Sequence, residues 1–300
     1  KTAYEIYQCD WSSDVCSSDL NHRIPLKNVE GVNSRGRIIA LAQPIQYQLE
    51  LNDFMNPKIS VILPAAGRSS RFGGGEKKPF TQLEGRAVWL RTAELFVSRN
   101  DVIELILVIS KQDEELVRMR YQANLAFFNA KLVIGGEERV DSVRAALDQI
   151  NPNSNLVLIH DAVRPCVDPG LIDSVINKAA ETGAAILATE VVQTVKKSGS
   201  NGVVSETIPR KGLWLAQTPQ VFEKNILKAA YNRQFGEGKK PTDDSEVVEM
   251  AGHEVTIVPC PATNIKITTK DDLNLANLII KSRPDTKKRS WHPFAEEQGW

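Results

Sequence analysis

Four short stretches hold residue types whose spacing could do chemistry. In VILPAAGRSSRFGGGEKKPF (61–80), an apolar run gives way to four glycines and to Arg68, Arg71, Lys77 and Lys78. Side-chain-free positions let backbone N–H groups approach an anion closely, and clustered cations suit a triphosphate. The spacing is neither G-x-x-x-x-G-K-[ST] nor G-x-G-x-x-G, so a plain turn or a dinucleotide site stands as the competing reading. GGEERVDSV (135–143) places a second glycine pair before a helix; the alternative is a helix start with acids near its positive end. HDAVRP (160–165) sets Asp161 and Arg164 just past an apolar run. An aspartate there suits Mg²⁺, which takes one or two carboxylates plus substrate phosphates. A structural Asp–Arg pair is the other option, and His160 reads as packed and hydrogen-bonded. Thr194, Arg210 and Thr218 could face a second anion or belong to a solvated arm. Lys266, inside NIKIT, sits among apolar residues and needs a partner unless it snorkels from an edge.

Those stretches need elements to position them. ISVIL (59–63), VIELILVIS (102–110), KLVIGG (131–136), LVLIHDA (156–162) and AAILATEVV (184–192) read as strands. Helical periodicity occupies 88–98, 111–121, 140–150 and 169–181 between them. The alternation predicts an α/β fold, Rossmann-like and doubly wound, with a mostly parallel sheet. In such sheets ligands bind beyond the carboxyl ends of strands, which is where the glycine loops and Asp161 fall. The pattern breaks at 192–218, which reads as a polar hairpin-like arm with SGSNG at its tip. A helix over 222–235 follows. Asp243 then caps a helix with Glu246 three residues on, HEVTIVP and NIKITT read as strands, and KDDLNLANLIIK closes the pattern as an amphipathic helix.

With 37 basic and 37 acidic residues in 300, the chain has no global field for nucleic acid or a membrane surface. No apolar run approaches the ~18 residues a membrane span needs. Cys9, Cys16, Cys166 and Cys260 show no CxxC and no metal-ligand spacing, as expected of reduced thiols in a cytoplasmic protein. Residues 1–56 lack sustained periodicity, and CDWSSDVCSSDL (9–20) resembles a translated sequencing adapter. The expectation is a non-native or disordered extension over 1–56, with the native chain starting at Met55, the first methionine. A folded domain over 57–283 and a disordered tail over 284–300 complete the expected organisation.

Taken in order, PAAGRSSRF…KKPF, GGEERVDSV, HDAVRPC, VVQTVKK, RKGLWLAQTPQ, TDDS and NIKIT resemble the 2-C-methyl-D-erythritol 4-phosphate cytidylyltransferases. The resemblance spans about 58–281. It implies CMP transfer from CTP to a sugar-alcohol phosphate, with release of pyrophosphate, in non-mevalonate isoprenoid synthesis. By position, Pro64, Ala65, Ala66 and Gly67 match the CTP-binding loop, and Gly136, Glu137 and Ser142 the cytosine- and ribose-binding stretch. Glu137 departs from the pattern, since some members have aspartate there. Arg71, Lys78 and Lys266 match the cations expected to stabilise the transition state, and Asp161 the Mg²⁺ ligand. Arg164, Thr194, Arg210, Thr218 and Lys266 match groups around the methylerythritol phosphate. The arm implies a homodimer in which Thr194 and Arg210 serve the neighbour's site. A ribitol 5-phosphate cytidylyltransferase is the nearest alternative, and a non-catalytic nucleotide sensor a more distant one. The sensor reading predicts decay of Lys78, Asp161 or Arg71, and all three stand.

Overall fold

A computed structural model describes residues 57–67, 77–233 and 241–283. The expectations for 1–56, for 284–300, and for Arg68 and Arg71 lie outside the described residues. Strand β1 (Ile59–Pro64) is buried along nearly its whole length, and its side chains alternate between two apolar layers. Ile59, Val61 and Leu63 join one core cluster, and Ile62 the other. The same division runs through β4 (Val102–Ile109) and β6 (Leu156–Ile159), where Leu105, Leu107 and Leu158 face one side and Ile106, Val108 and Val157 the other. A continuous apolar run is therefore period-two packing with both faces covered. A short β2–β3 pair (Gln82–Leu83 and Arg86–Ala87) leads into the first helix.

Helices α1 (Val88–Val97), α2 (Glu114–Phe127) and α4 (Pro169–Thr182) cover the first face through residues such as Trp89, Phe96, Tyr121, Val175 and Ile176. Helices α3 (Arg139–Leu147), α5 (Lys224–Asn232) and α6 (Asp244–Met250) cover the second through Val143, Leu147, Leu227, Tyr231 and Val247. Local signals fix the helix ends. The Asp168 side chain accepts the Gly170 N–H at 2.8 Å to open α4 with Pro169 at its first turn, and Gly183 closes it at φ 84°. Asp243 caps α6 through the Glu246 N–H, as expected; Glu246 itself reaches back to Thr242 rather than to the cap residue.

The strands order as β11–β7–β10–β6–β1–β4–β5, with β5 at Ala130–Ile134, β7 at Ala184–Glu190 and β11 at Thr256–Pro259. All the pairings are parallel except those of β10 (Trp214–Glu223), which runs antiparallel between β6 and β7. The chain leaves β1 for β4 and β5 on one side, then crosses to β6 on the other. This reversal is the topological switch point where open α/β sheets hold ligands. The doubly wound, mostly parallel sheet expected from the alternation is present.

Two expectations need correction. The arm is a hairpin of β8 (Val195–Ser198) and β9 (Val204–Ile208), but the stretch from Trp214 onward is a central strand. Its second half is buried while its first half stays exposed, which blurs the period-two signal. NIKIT is not a strand among the described residues. Its polar groups bond across to the loop after β6: the Ile267 N–H donates to the Val163 carbonyl at 2.9 Å, and the Asn264 carbonyl accepts from Arg164 at 2.8 Å. Helix α7 (Lys270–Ser282) follows behind a reciprocal cap between Thr269 and Asp272.

Candidate active site

Three loops leave neighbouring strand ends side by side. The Ala65 N–H donates to the Val108 carbonyl at 2.7 Å, Gly135 N–H to Ile109 at 2.8 Å, and His160 N–H to Ile62 at 3.0 Å. Pro64 to Gly67, Gly135 to Ser142 and Asp161 to Arg164 therefore share one edge. The glycine pair is sterically required: a Cβ on Gly135 would stand 2.5 Å from Ser142 Oγ and 3.0 Å from Val108 Cγ1. Ser142 is buried in the first turn of α3 and faces the Gly136 carbonyl at 3.4 Å, while Gly136 and Glu137 are exposed.

Asp161 is the centre of the charge cluster. Its Oδ1 meets Arg139 Nη1 at 2.7 Å; its Oδ2 meets Arg164 Nε at 3.1 Å and Lys266 Nζ at 3.0 Å. Burial alone would push this carboxyl up, but Arg139, Lys266 and Arg164 hold it well below the usual carboxylate range. The Asp161 N–H donates to Thr218 Oγ1 at 3.0 Å. The Thr218 carbonyl accepts from Asn264 Nδ2 at 2.8 Å, and Arg164 Nη1 donates to the Asn264 carbonyl, closing a ring. Arg139 also bridges to Asp244 Oδ2 at 2.7 Å, and Tyr231 Oη donates to Asp244 Oδ1 at 2.6 Å. Three cations face two carboxylates, leaving one positive charge in excess for an incoming polyanion.

Lys266 is held from behind. Ile267, fully buried with Val163, Cys166 and Ala276, contributes roughly 1.5–3 kcal/mol by burial and pins its neighbour, whose side chain remains 41% exposed. Lys266 is thus an ion-paired site residue rather than an edge lysine. The structural Asp161–Arg164 pair is present, and it lies at the switch point. His160 is packed, as expected. Its ring sits edge-on to Phe96 at 5.3 Å and its Nε2 is 3.0 Å from the Arg164 carbonyl, so the proton is assigned to Nε2. Burial holds its pKa down to about 4.

The sequence-derived cations divide. Lys77 is ion-paired: its ammonium is 2.7 Å from Asp113 and 3.2 Å from Ser110 Oγ, tying the chain to the end of β4. Lys78, partly buried, opens a single 3₁₀ turn (Lys78–Phe80) anchored by buried Pro79 and Phe80. Thr218 lies in the cluster. Thr194 and Arg210 stand exposed at the root of the arm, where the Arg210 guanidinium donates to the Val192 carbonyl. Among the described residues they make no recorded contact with the Asp161 cluster. Arg139, Asp244 and Asn264 lie inside the quoted motifs without a role read for them, and Tyr231 lies in none.

A sequence model described as "IspD: 2-C-methyl-D-erythritol 4-phosphate cytidylyltransferase" matches residues 59–282. The chain belongs to the IspD family. Similar relatives include the 2-C-methyl-D-erythritol 4-phosphate cytidylyltransferase of Rhodopirellula baltica, 40% identical over 74% of this chain and 94% of the relative. The bifunctional enzyme IspD/IspF of Desulforudis audaxviator is 42% identical over 74% of this chain and 57% of its own length. Among solved structures, the Anaerococcus prevotii 4-diphosphocytidyl-2C-methyl-D-erythritol synthase superposes with a TM-score of 0.65 at 32% identity, covering 77% of this chain and 99% of that one. The Francisella tularensis IspD structure matches at 0.62 and 33%, over 74% and 99%. The Asp161 cluster and the loops beside it lie inside the matched span.

Asp161 is the carboxylate at the switch point that could meet a divalent cation. Among the described residues no cluster of three or more His, Cys, Asp or Glu side chains forms a protein cage. One ionised aspartate at a strand end fits an Mg²⁺ that takes its other ligands from substrate phosphates and water and displaces one of the Arg139, Arg164 and Lys266 contacts.

Proposed function

We propose that this chain transfers the cytidylyl group of CTP to 2-C-methyl-D-erythritol 4-phosphate, giving 4-(cytidine 5'-diphospho)-2-C-methyl-D-erythritol and pyrophosphate. The carrying observation is the cationic Asp161 cluster at the switch point, inside the span that matches the IspD family. Pro64, Ala65, Ala66 and Gly67 bind CTP along the end of β1. Gly136, Glu137 and Ser142 receive its cytosine and ribose. The acceptor, a phosphate monoester with a second pKa near ~6, arrives already ionised and needs no general base. The barrier is repulsion between two anions, so positioning and cationic stabilisation do the work. Lys266 and Arg164 hold the acceptor phosphate, with Thr218 beside them, while Arg71 and Lys78 stabilise the pentacoordinate phosphorus. Asp161 would hold Mg²⁺, which when bound supplies charge neutralisation on the triphosphate.

The enzyme works as a homodimer in this reading. Val192, Val203, Val204 and Leu215 are large apolar side chains 55–64% exposed along the arm and its root, an unusual density for a solvated hairpin. A second subunit embraced by the arm covers them and receives Thr194 and Arg210 at its own acceptor site. Among the described residues no helix is long and apolar enough to cross a membrane. The reading places the enzyme in the cytoplasm, with the buried thiols of Cys166 and Cys260 reduced.

The test is pyrophosphate release from CTP and Mg²⁺ with each acceptor separately, alongside light scattering for the dimer. Turnover with methylerythritol phosphate supports the reading. Silence with it and turnover with ribitol 5-phosphate would overturn the acceptor assignment.

A further inference from the structure

We propose that Arg139 is a positioning residue for cytidylyl transfer, held by Asp244 and Tyr231, and that this chain fixes the orientation of the Asp161 carboxylate. The inference rests on the reading of Asp161 as the carboxylate of the transfer site. Arg164 and Lys266 both approach Asp161 Oδ2, whereas Arg139 takes Oδ1 at 2.7 Å. A carboxylate gripped at one oxygen can still turn about its Cβ–Cγ bond; a second grip on the other oxygen fixes its plane. Arg139 can supply that grip because it is itself fixed. Its other Nη meets Asp244 Oδ2 at 2.7 Å, and Asp244 is fully buried with its second oxygen taken by Tyr231 Oη at 2.6 Å.

Asp244 and Asp161 raise the Arg139 pKa against its burial, keeping the guanidinium charged. Burial and the charge of Asp244 push the Tyr231 phenol well above its usual value, so it remains a donor. A planar fork spanning two carboxylates is what arginine offers and lysine, a point charge, does not. Buried ion networks of this kind are weak devices for stability and can be replaced by apolar groups at little loss. Four polar groups leading from α5 and α6 to one strand end make better sense as orientation of the aspartate at its head.

The experiment compares full-length Arg139→Lys, Asp244→Asn, Tyr231→Phe and Asp161→Asn. Readouts are steady-state pyrophosphate release, direct Mn²⁺ binding by electron paramagnetic resonance in the presence of CTP, and thermal unfolding. Loss of a group that orients a metal-binding carboxylate costs about 10–100-fold. Arg139→Lys and Asp244→Asn are expected to lose about that much in kcat and about 10-fold in Mn²⁺ affinity, with KM for CTP within about threefold. Their double variant is expected to be no worse than the poorer single one. Tyr231→Phe keeps every charge, tests the same chain should Asp244→Asn fold poorly, and is expected to lose about threefold. Unchanged kcat and Mn²⁺ binding in folded Arg139→Lys and Tyr231→Phe, beside an inactive Asp161→Asn, would overturn the proposal alone. An Asp161→Asn enzyme with near-normal turnover would instead overturn the reading of Asp161 on which it rests.

Discussion

Mild acid should destabilise this protein through His160 before its carboxylates titrate. The ring is fully buried behind Phe96, with Nε2 bonded to the Arg164 carbonyl and Nδ1 without a hydrogen-bond partner among the described residues. Burial lowers its pKa from 6.5 to about 4 in the folded state. Above pH 6.5 both folded and unfolded rings are neutral, and the full stability is present. As pH falls below 6.5 the unfolded ring takes a proton that the folded ring refuses, so stability is lost until about pH 4. At about 1.4 kcal/mol for each pH unit, the gap corresponds to roughly 3 kcal/mol, of which about 2 kcal/mol is gone by pH 5. That is a large share of the ~5–15 kcal/mol that holds a typical domain together. Asp161 acts in the same direction but later: its contribution is full above the usual carboxylate range and is lost as the pH falls through that range toward its depressed folded-state value. The assay is urea unfolding followed by circular dichroism at several pH values between about 7.5 and 4.5, for the wild type and His160→Gln. The glutamine amide can still donate to the Arg164 carbonyl but takes no proton. The wild type should lose on the order of 2–3 kcal/mol relative to the variant across that range. Stability curves that run parallel would refute the assignment of the acid sensitivity to this ring.

Lys78→Ala should lower kcat by roughly two orders of magnitude, the scale of losing one preorganised donor. Lys77→Met, which loses only the Asp113 and Ser110 contacts, should change kcat less than about threefold and cost about 1 kcal/mol in urea unfolding. Equal effects of the two on turnover would reverse the division between these neighbours. Ile267→Ala should cost about 2–5 kcal/mol from the cavity it leaves and raise KM for the acceptor by loosening Lys266; an unchanged KM would separate the two residues. Gly135→Ala should raise KM for CTP while leaving KM for the acceptor alone, because its Cβ drives Ser142 from its place; isothermal titration with CTP checks it.

The layers and the location of the site were legible because both depend on local pattern. Apolar runs bounded by glycine and proline gave the parallel strands, and the rule about strand ends placed Asp161 with the glycine loops. Lys266 was legible as an oddity, a charge between two isoleucines. What stayed hidden is tertiary. Arg139 reads as an ordinary charge in a first helical turn, and nothing local says that it bridges two carboxylates 83 residues apart, as Asp161 and Asp244 are. The available signal was the doubled aspartate of TDDS, one carboxylate more than a helix cap needs. NIKIT imitates a strand by alternation, but its backbone partners belong to a loop. Trp214–Glu223 hides its strand because its first half, though paired with β7, stays exposed while its second half is buried.

The antiparallel placement of β10 has a consequence for the order in which the molecule can be built. β5, β4, β1 and β6 are complete by Ile159 and pair with one another, β6 alone also awaiting a later neighbour in β10, so the first half of the sheet can form on a growing chain. β7 comes next but pairs only with β10 and β11, both synthesised later. Until Trp214–Glu223 emerges, β7 waits without a neighbour, and the loop after β6 lacks Thr218, Asp244 and Lys266. The loops after β1 and β5 are thus early products of synthesis. Much of the charged frame around Asp161 is among the last things to arrive, so a chain cut short in its final third displays the loops without Thr218, Asp244 or Lys266 beside them.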